Sequence, residues 1–143
     1  MFDTYIQIWY KVNMKKHSKF SADNKAKLDQ AFKALRKLGY VAKQNYLCCS
    51  SCAGAQIAHD IRNMSLADRA KVKGCVFYHK QGGDSMRDYG RFMLHFGPVK
   101  VDNETIGSMA WACGIDACRA LGDAGLKFEW NQKPDSCIEV IND

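Results

Sequence analysis

Gly74-Cys75-Val76-Phe77-Tyr78-His79-Lys80, then Gln81-Gly82-Gly83-Asp84, then Tyr89-Gly90-Arg91-Phe92-Met93-Leu94-His95-Phe96 is the stretch that decides the fold. In the first run Cys75, Phe77 and His79 alternate with Val76 and Tyr78, the period-two pattern of a strand whose side chains point to opposite faces. The paired glycines read as a turn, and Gly97-Pro98 closes a second strand over residues 89–96. Val99 to Val101 extends the sheet. Strands that follow one another directly favour antiparallel pairing, so this stretch predicts an α+β fold.

Upstream, Leu28, Ala31, Phe32, Leu35 and Leu38 recur at helical spacing and predict a helix from Ala22 to Leu38. Ser21 or Asp23 caps its start, and Gly39 stops it in the left-handed conformation that glycine adopts cheaply. Tyr40 to Leu47 reads as a strand paired beside Gly74 to Lys80. Ser50 or Ser51 caps a second helix, Cys52 to Met64, with Ile57, Ile61 and Met64 inward, and residues 66–71 add a short helical turn. Downstream, a third helix spans residues 104–124, capped by Asp102 or Asn103, with Ile106, Met109, Ala110, Cys113, Ala117 and Leu121 as its inner stripe. Gly107 and Gly114 within it cost about 1 kcal/mol each against alanine, which points to close packing on the sheet. Residues 126–130 and 137–141 form a closing hairpin. The first 13 residues fit helix and strand equally. The expected architecture is one mostly antiparallel sheet with two or three helices packed on one face.

One domain accounts for all 143 residues, with residues 1–20 as an N-terminal extension. A hydrophobic share of 47% with 25% charged residues is that of a globular chain rather than a disordered one. No apolar run reaches the roughly 18 residues that cross a bilayer, and the N-terminus lacks a signal-peptide layout, so a cytoplasmic protein without a membrane partner is expected. Seven cysteines in such a chain imply reduced thiols or metal-bound thiolates rather than a disulfide framework. Charge is uneven. Residues 1–47 carry ten Lys or Arg against three Asp, whereas residues 48–143 carry eleven against twelve acidic groups. Lys33, Arg36 and Lys37 on the first helix thus mark a basic face for an acidic protein partner, or for nucleic acid with the interspersed aromatics stacking on bases.

The run Cys48-Cys49-Ser50-Ser51-Cys52 concentrates three thiols where a strand meets a helix. Thiolate with imidazole is the donor set zinc prefers, and Cys75 and His79 complete an apparent list of ligands. Along a strand, however, those two lie about 13 Å apart, so only one can join. Cys48, Cys49 and Cys52 with His79 or His59 is the remaining set, and no cofactor is favoured over free thiols. A Cys-x-x-Cys at a helix start lowers a thiol pKa, as in thioredoxin-like enzymes, but their intervening Gly-Pro is missing here. A cysteine nucleophile with His79 as base and Gln81 as oxyanion donor is the third chemistry. Cys113, Cys118 and Cys137 read as small core hydrophobes, His95 as structural. Gly82-Gly83 cradles a phosphate only if a helix begins there.

Gly39-Tyr40-Val41-Ala42, Cys48-Cys49-x-x-Cys52, Gly74 to His79 with Gln81, Leu94 to Gly97, Ile106-Gly107, Gly125-Leu126 and Glu129-Trp130 together resemble a bacterial family catalogued only as a domain of unknown function. The resemblance covers residues 22–141. It carries no activity, but implies that the cysteine run and His79 line one site. Two functional readings stand. One is a regulatory or interaction domain whose basic N-terminal region binds an acidic partner, in a bacterial or phage defence setting. The other is a thiol-centred site, zinc-binding or a Cys/His enzyme.

Overall fold

A computed structural model describes residues 20–98 and 106–142. Ten elements follow one another: α1 (Ala22–Leu38), β1 (Tyr40–Lys43), α2 (Ser50–Arg62), α3 (Leu66–Ala70), β2 (Gly74–Phe77), α4 (Lys80–Tyr89), β3 (Arg91–Pro98), α5 (Ile106–Asp123), β4 (Lys127–Glu129) and β5 (Ile138–Ile141). The strands make one sheet in the order β1-β2-β3-β5-β4. Only β1 and β2 run parallel; the other three pairings are antiparallel. The fold is α+β, as its sequence predicts.

Helix α1 begins where Ser21 Oγ accepts the Asn24 amide at 3.1 Å, satisfying a donor that the first turn leaves free. It ends at Gly39, whose φ of +104° is open to glycine and strained for other residues. Leu28, Phe32 and Leu35 are fully buried, each stabilising the fold by about 1.5–3 kcal/mol. With Ala117 and Leu121 of α5 they cover one sheet face, meeting Val76, Phe92, Leu94, Ile138 and Val140. The period of two along β1 and β2 sends the intervening residues to the opposite face. There Val41, Cys75 and Phe77 pack against Ala53, Ile57 and Ile61 of α2. Two helices thus share one face as expected, while α2 forms a second layer, because the parallel β1–β2 pair needs a crossover and α2 supplies it.

Residues 81–84 are not a turn. They belong to α4, which also absorbs the expected beginning of β3. Its glycines serve close approach rather than chain reversal: Gly82 lies on Tyr78 and Phe92, and a Cβ on Gly83 would stand 2.6 Å from Asn45 Oδ1. Gly90, with φ +73°, ends the helix and turns the chain into β3. β1 stops at Lys43 and β2 at Phe77, both short of the lengths their sequences suggest. Gly114 does pack closely, an added Cβ there running into the Trp130 ring. The expected caps of α5 at Asp102 or Asn103, the extension over 99–101 and the first 13 residues lie outside the described residues. No helix among the described residues is long and apolar enough to cross a membrane.

Burial of Tyr78 pushes its phenol up to about 12, and its hydroxyl donates to Gln44 Oε1 at 3.1 Å. A pKa raised on folding stabilises the fold fully below the unfolded value near 10 and is lost as pH climbs through the folded one. Stability is therefore expected to fall between pH 10 and 12, and Tyr78→Phe is expected to remove part of that fall. Urea midpoints of both proteins at pH 8 and pH 11 measure it; equal losses in the two would refute the assignment to Tyr78.

Candidate functional site

The loop between β1 and α2 is built by three strained or pinned residues. Asn45 and Leu47 both take positive φ, +51° and +59°. For Asn this costs little, but for leucine the left-handed region costs roughly 1–2 kcal/mol. The surroundings hold it there. The Tyr46 amide donates to the Tyr78 carbonyl at 2.9 Å, and the Lys80 amide donates to the Leu47 carbonyl at 2.9 Å. Gln44 fastens the start of the loop by donating to Asp29 Oδ1 at 2.9 Å. Leu47→Gly is expected to relieve the strain and raise stability by up to about 1 kcal/mol, read from the urea midpoint. A lower midpoint would show that the leucine side chain itself holds the loop.

Pinned this way, the chain delivers three sulfurs to one point. One ligand atom each from Cys48, Cys49 and Cys52 lies within 4.8 Å of the others, and the Cys48 and Cys49 sulfurs are 3.8 Å apart. Cys49, rather than either serine, is the N-cap of α2, with extended φ and ψ of −155° and 171°. Its carbonyl accepts the Ala53 amide at 3.0 Å, the first bond of the helix. The Cys52 backbone amide pulls the Cys49 thiol below its ordinary value, aided by the neighbouring thiols, and this outweighs the small opposing effect of burial. Cys52 moves the other way, up to about 11, because the Cys48 and then the Cys49 sulfur interact with it. Cys48 and Cys52 are exposed and Cys49 is half-buried. The site faces solvent.

His79 does not join them at ligand distance. It follows β2 on the face shared with Phe77, is 9% exposed, and its ring lies 5.2 Å from that of His95. His59 sits in the last turn of α2, ten residues past Cys49 and so about 15 Å along the helix, and its Nε2 pairs with Asn63 Nδ2 at 2.9 Å. Gln81, half-buried in the first turn of α4, has its amide oxygen buried. A helix does begin beside Gly82-Gly83, yet its first amide is already taken by Leu47.

The basic residues of α1 divide. Arg36 donates through Nε and Nη2 to the Ala42 carbonyl at 3.1 and 2.9 Å and lies 6.0 Å from the Phe32 ring centroid, so it clamps α1 to β1. Lys33 and Lys37 remain exposed on the outer side of α1. Sequence reasoning missed one pairing. Cys137 Sγ lies 3.3 Å from His95 Nδ1, because the antiparallel register that sets Leu94 opposite Ile138 brings His95, the residue after Leu94, across from Cys137, the residue before Ile138. Burial pushes the Cys137 thiol up. Only the strand register could have revealed that contact.

Residues 10–143 match the family described as Domain of unknown function (DUF6891), and the chain belongs to it. The match begins at residue 10, ahead of residue 22, where the resemblance in the sequence begins. No curated protein and no solved structure matches the chain.

Proposed function

We propose, from the geometry of the loop, that this domain binds a thiophilic metal ion at Cys48, Cys49 and Cys52, zinc being the ion its donors suit. The observation that carries the reading is the convergence of three sulfurs within 4.8 Å at the start of α2. Structural zinc sites close with four protein ligands, whereas sites that do chemistry or exchange the ion keep one position open. Among the described residues no fourth ligand lies at that distance, and two of the three cysteines are exposed. The fourth position is thus left, as far as the described residues go, to water or to a ligand from outside them. When bound, the ion would supply Lewis acidity; the chain supplies a loop already held in place and, in Cys49, a thiol whose pKa lies below the ordinary value.

Titrating reduced, metal-free protein with zinc against a chromophoric chelator tests this. One equivalent per chain is expected, with three of the seven thiols becoming slow toward a thiol reagent. Undiminished zinc uptake by a variant with all three cysteines replaced by serine would sink the reading.

A second reading, thiol–disulfide exchange, draws on the opposed shifts of Cys49 and Cys52 across a Cys-x-x-Cys at a helix start. Oxidised glutathione should then remove two thiols and yield a Cys49–Cys52 bridge on peptide mapping; their survival at equilibrium would exclude it. The acidic-partner reading keeps Lys33 and Lys37 as its contact residues and loses Arg36, which the fold itself employs.

A further inference from the structure

A cleft of about 370 Å³ opens on the α2 side of the sheet, and Cys48, Cys49 and Cys52 are not among the residues that line it. Ile57 and Ile61 form its apolar wall and Cys75 its base, with Arg62 and Arg69 also lining it. Its size is that of a small-molecule pocket rather than a packing defect. Arg62 is exposed, but Arg69 is half-buried, and a guanidinium partly withdrawn from water beside apolar side chains is costly unless something negative answers it. Among the described residues nothing does: neither arginine has an ion pair.

Arg69 is also set in place. Its Nη2 donates to the Arg62 carbonyl at 2.6 Å, while its Nε is buried and has no hydrogen-bond partner. A buried charged donor without an acceptor is uncommon in folded proteins and calls for an explanation, an absent ion or ligand being one of the usual ones. The planar guanidinium fork matches a carboxylate better than any other common group. Gly54 adds room. A Cβ built there meets nothing within 4 Å, so the helix leaves the cleft open where a larger residue would close it. The Cys75 thiol, pushed up to about 11 chiefly by burial, stays neutral and offers no competing charge.

We infer that the cleft between α2 and α3 binds a small aliphatic carboxylate, its tail on Ile57 and Ile61 and its head on Arg69. This site is separate from the thiol cluster and does not depend on it.

Octanoate and its neutral counterpart 1-octanol are the probes, titrated into the full-length protein and followed by amide chemical shifts. Octanoate is expected to shift resonances of Ile57, Ile61, Arg69 and Cys75 and to bind at least about tenfold more tightly than octanol. Arg69→Gln is expected to weaken octanoate by about tenfold or more and leave octanol unchanged. Gly54→Leu is expected to abolish both while keeping or raising the melting temperature, since leucine outranks glycine within helices. Equal binding of the two probes would overturn the inference, as would octanoate binding that survives Gly54→Leu, or an unchanged spectrum at millimolar octanoate. Should Gly54→Leu fail to fold, the response of Arg69→Gln decides alone.

Discussion

Cys49→Ser is expected to lower zinc affinity by about two orders of magnitude. Zinc in small four-ligand sites contributes on the order of 10–16 kcal/mol, so one ligand carries roughly 3 kcal/mol, or about a hundredfold. A serine hydroxyl does not ionise to replace the thiolate. The three cysteines should differ in how pH enters. Each thiol that must shed a proton to bind makes affinity rise with pH, by at most about tenfold per unit. Cys49 begins with a lowered pKa and so pays less of this than Cys52, which, at about 11, must lose its proton to the ion at every neutral pH. Zinc affinity of the native protein is therefore expected to drop between pH 8 and pH 6. Cys52→Ser should flatten that slope more than Cys49→Ser does. Competition titrations at the two pH values measure it, and identical slopes in both variants would show that the sulfurs act independently of their positions on α2.

Gly74→Ala should destabilise the protein by about 3 kcal/mol, the upper end of what an added methyl costs in a filled interior. Its Cβ would lie 2.5 Å from the Gly97 carbonyl oxygen, 2.9 Å from Cys113 Sγ and 3.2 Å from the Tyr40 ring. A sulfur at the end of a side chain can swing aside. The carbonyl cannot, because it belongs to β3 in its paired register with β2. Gly97→Ala is the control: its Cβ meets nothing within 4 Å, and a change under about 1 kcal/mol is expected. For a chain of this size 3 kcal/mol corresponds to a melting temperature lower by roughly 10 °C. Equal melting temperatures for the two variants would mean that β2 and β3 are not so closely set.

What the sequence disclosed depended on whether the deciding physics was local. The helical stripe of Leu28, Phe32 and Leu35 and the alternation of Cys75, Val76 and Phe77 are local, and both appear in the fold as read. Gly82 and Gly83 were misleading because glycine is the usual signal for a turn. Here they are present for what presses on them, Tyr78, Phe92 and Asn45, all contacts outside the helix. The thiol cluster was legible because its members are neighbours in the chain. The neighbour of His79 was not legible, since the ring it meets, His95, comes from another strand. The same holds for Cys137, read as core filler yet set against an imidazole by cross-strand register. Arg36 looked like a surface charge, and only the return of β1 beside α1 gave it a carbonyl to hold.

The last strand in the chain is not at the margin of the sheet: β5 lies between β3 and β4. Beyond it, Asn142 accepts hydrogen bonds from the Ser21 amide and the Asn24 side chain, both at 2.8 Å, clasping the start of α1. During synthesis, then, β3 and β4 wait with unpaired edges until residues 138–142 leave the ribosome. Nascent lengths that have released β4 but not β5 expose two open ladders, the form most prone to pair with a neighbouring chain. A chain cut just before Ile138 would be an aggregation-prone intermediate, and the chain through Asn142 a closed domain.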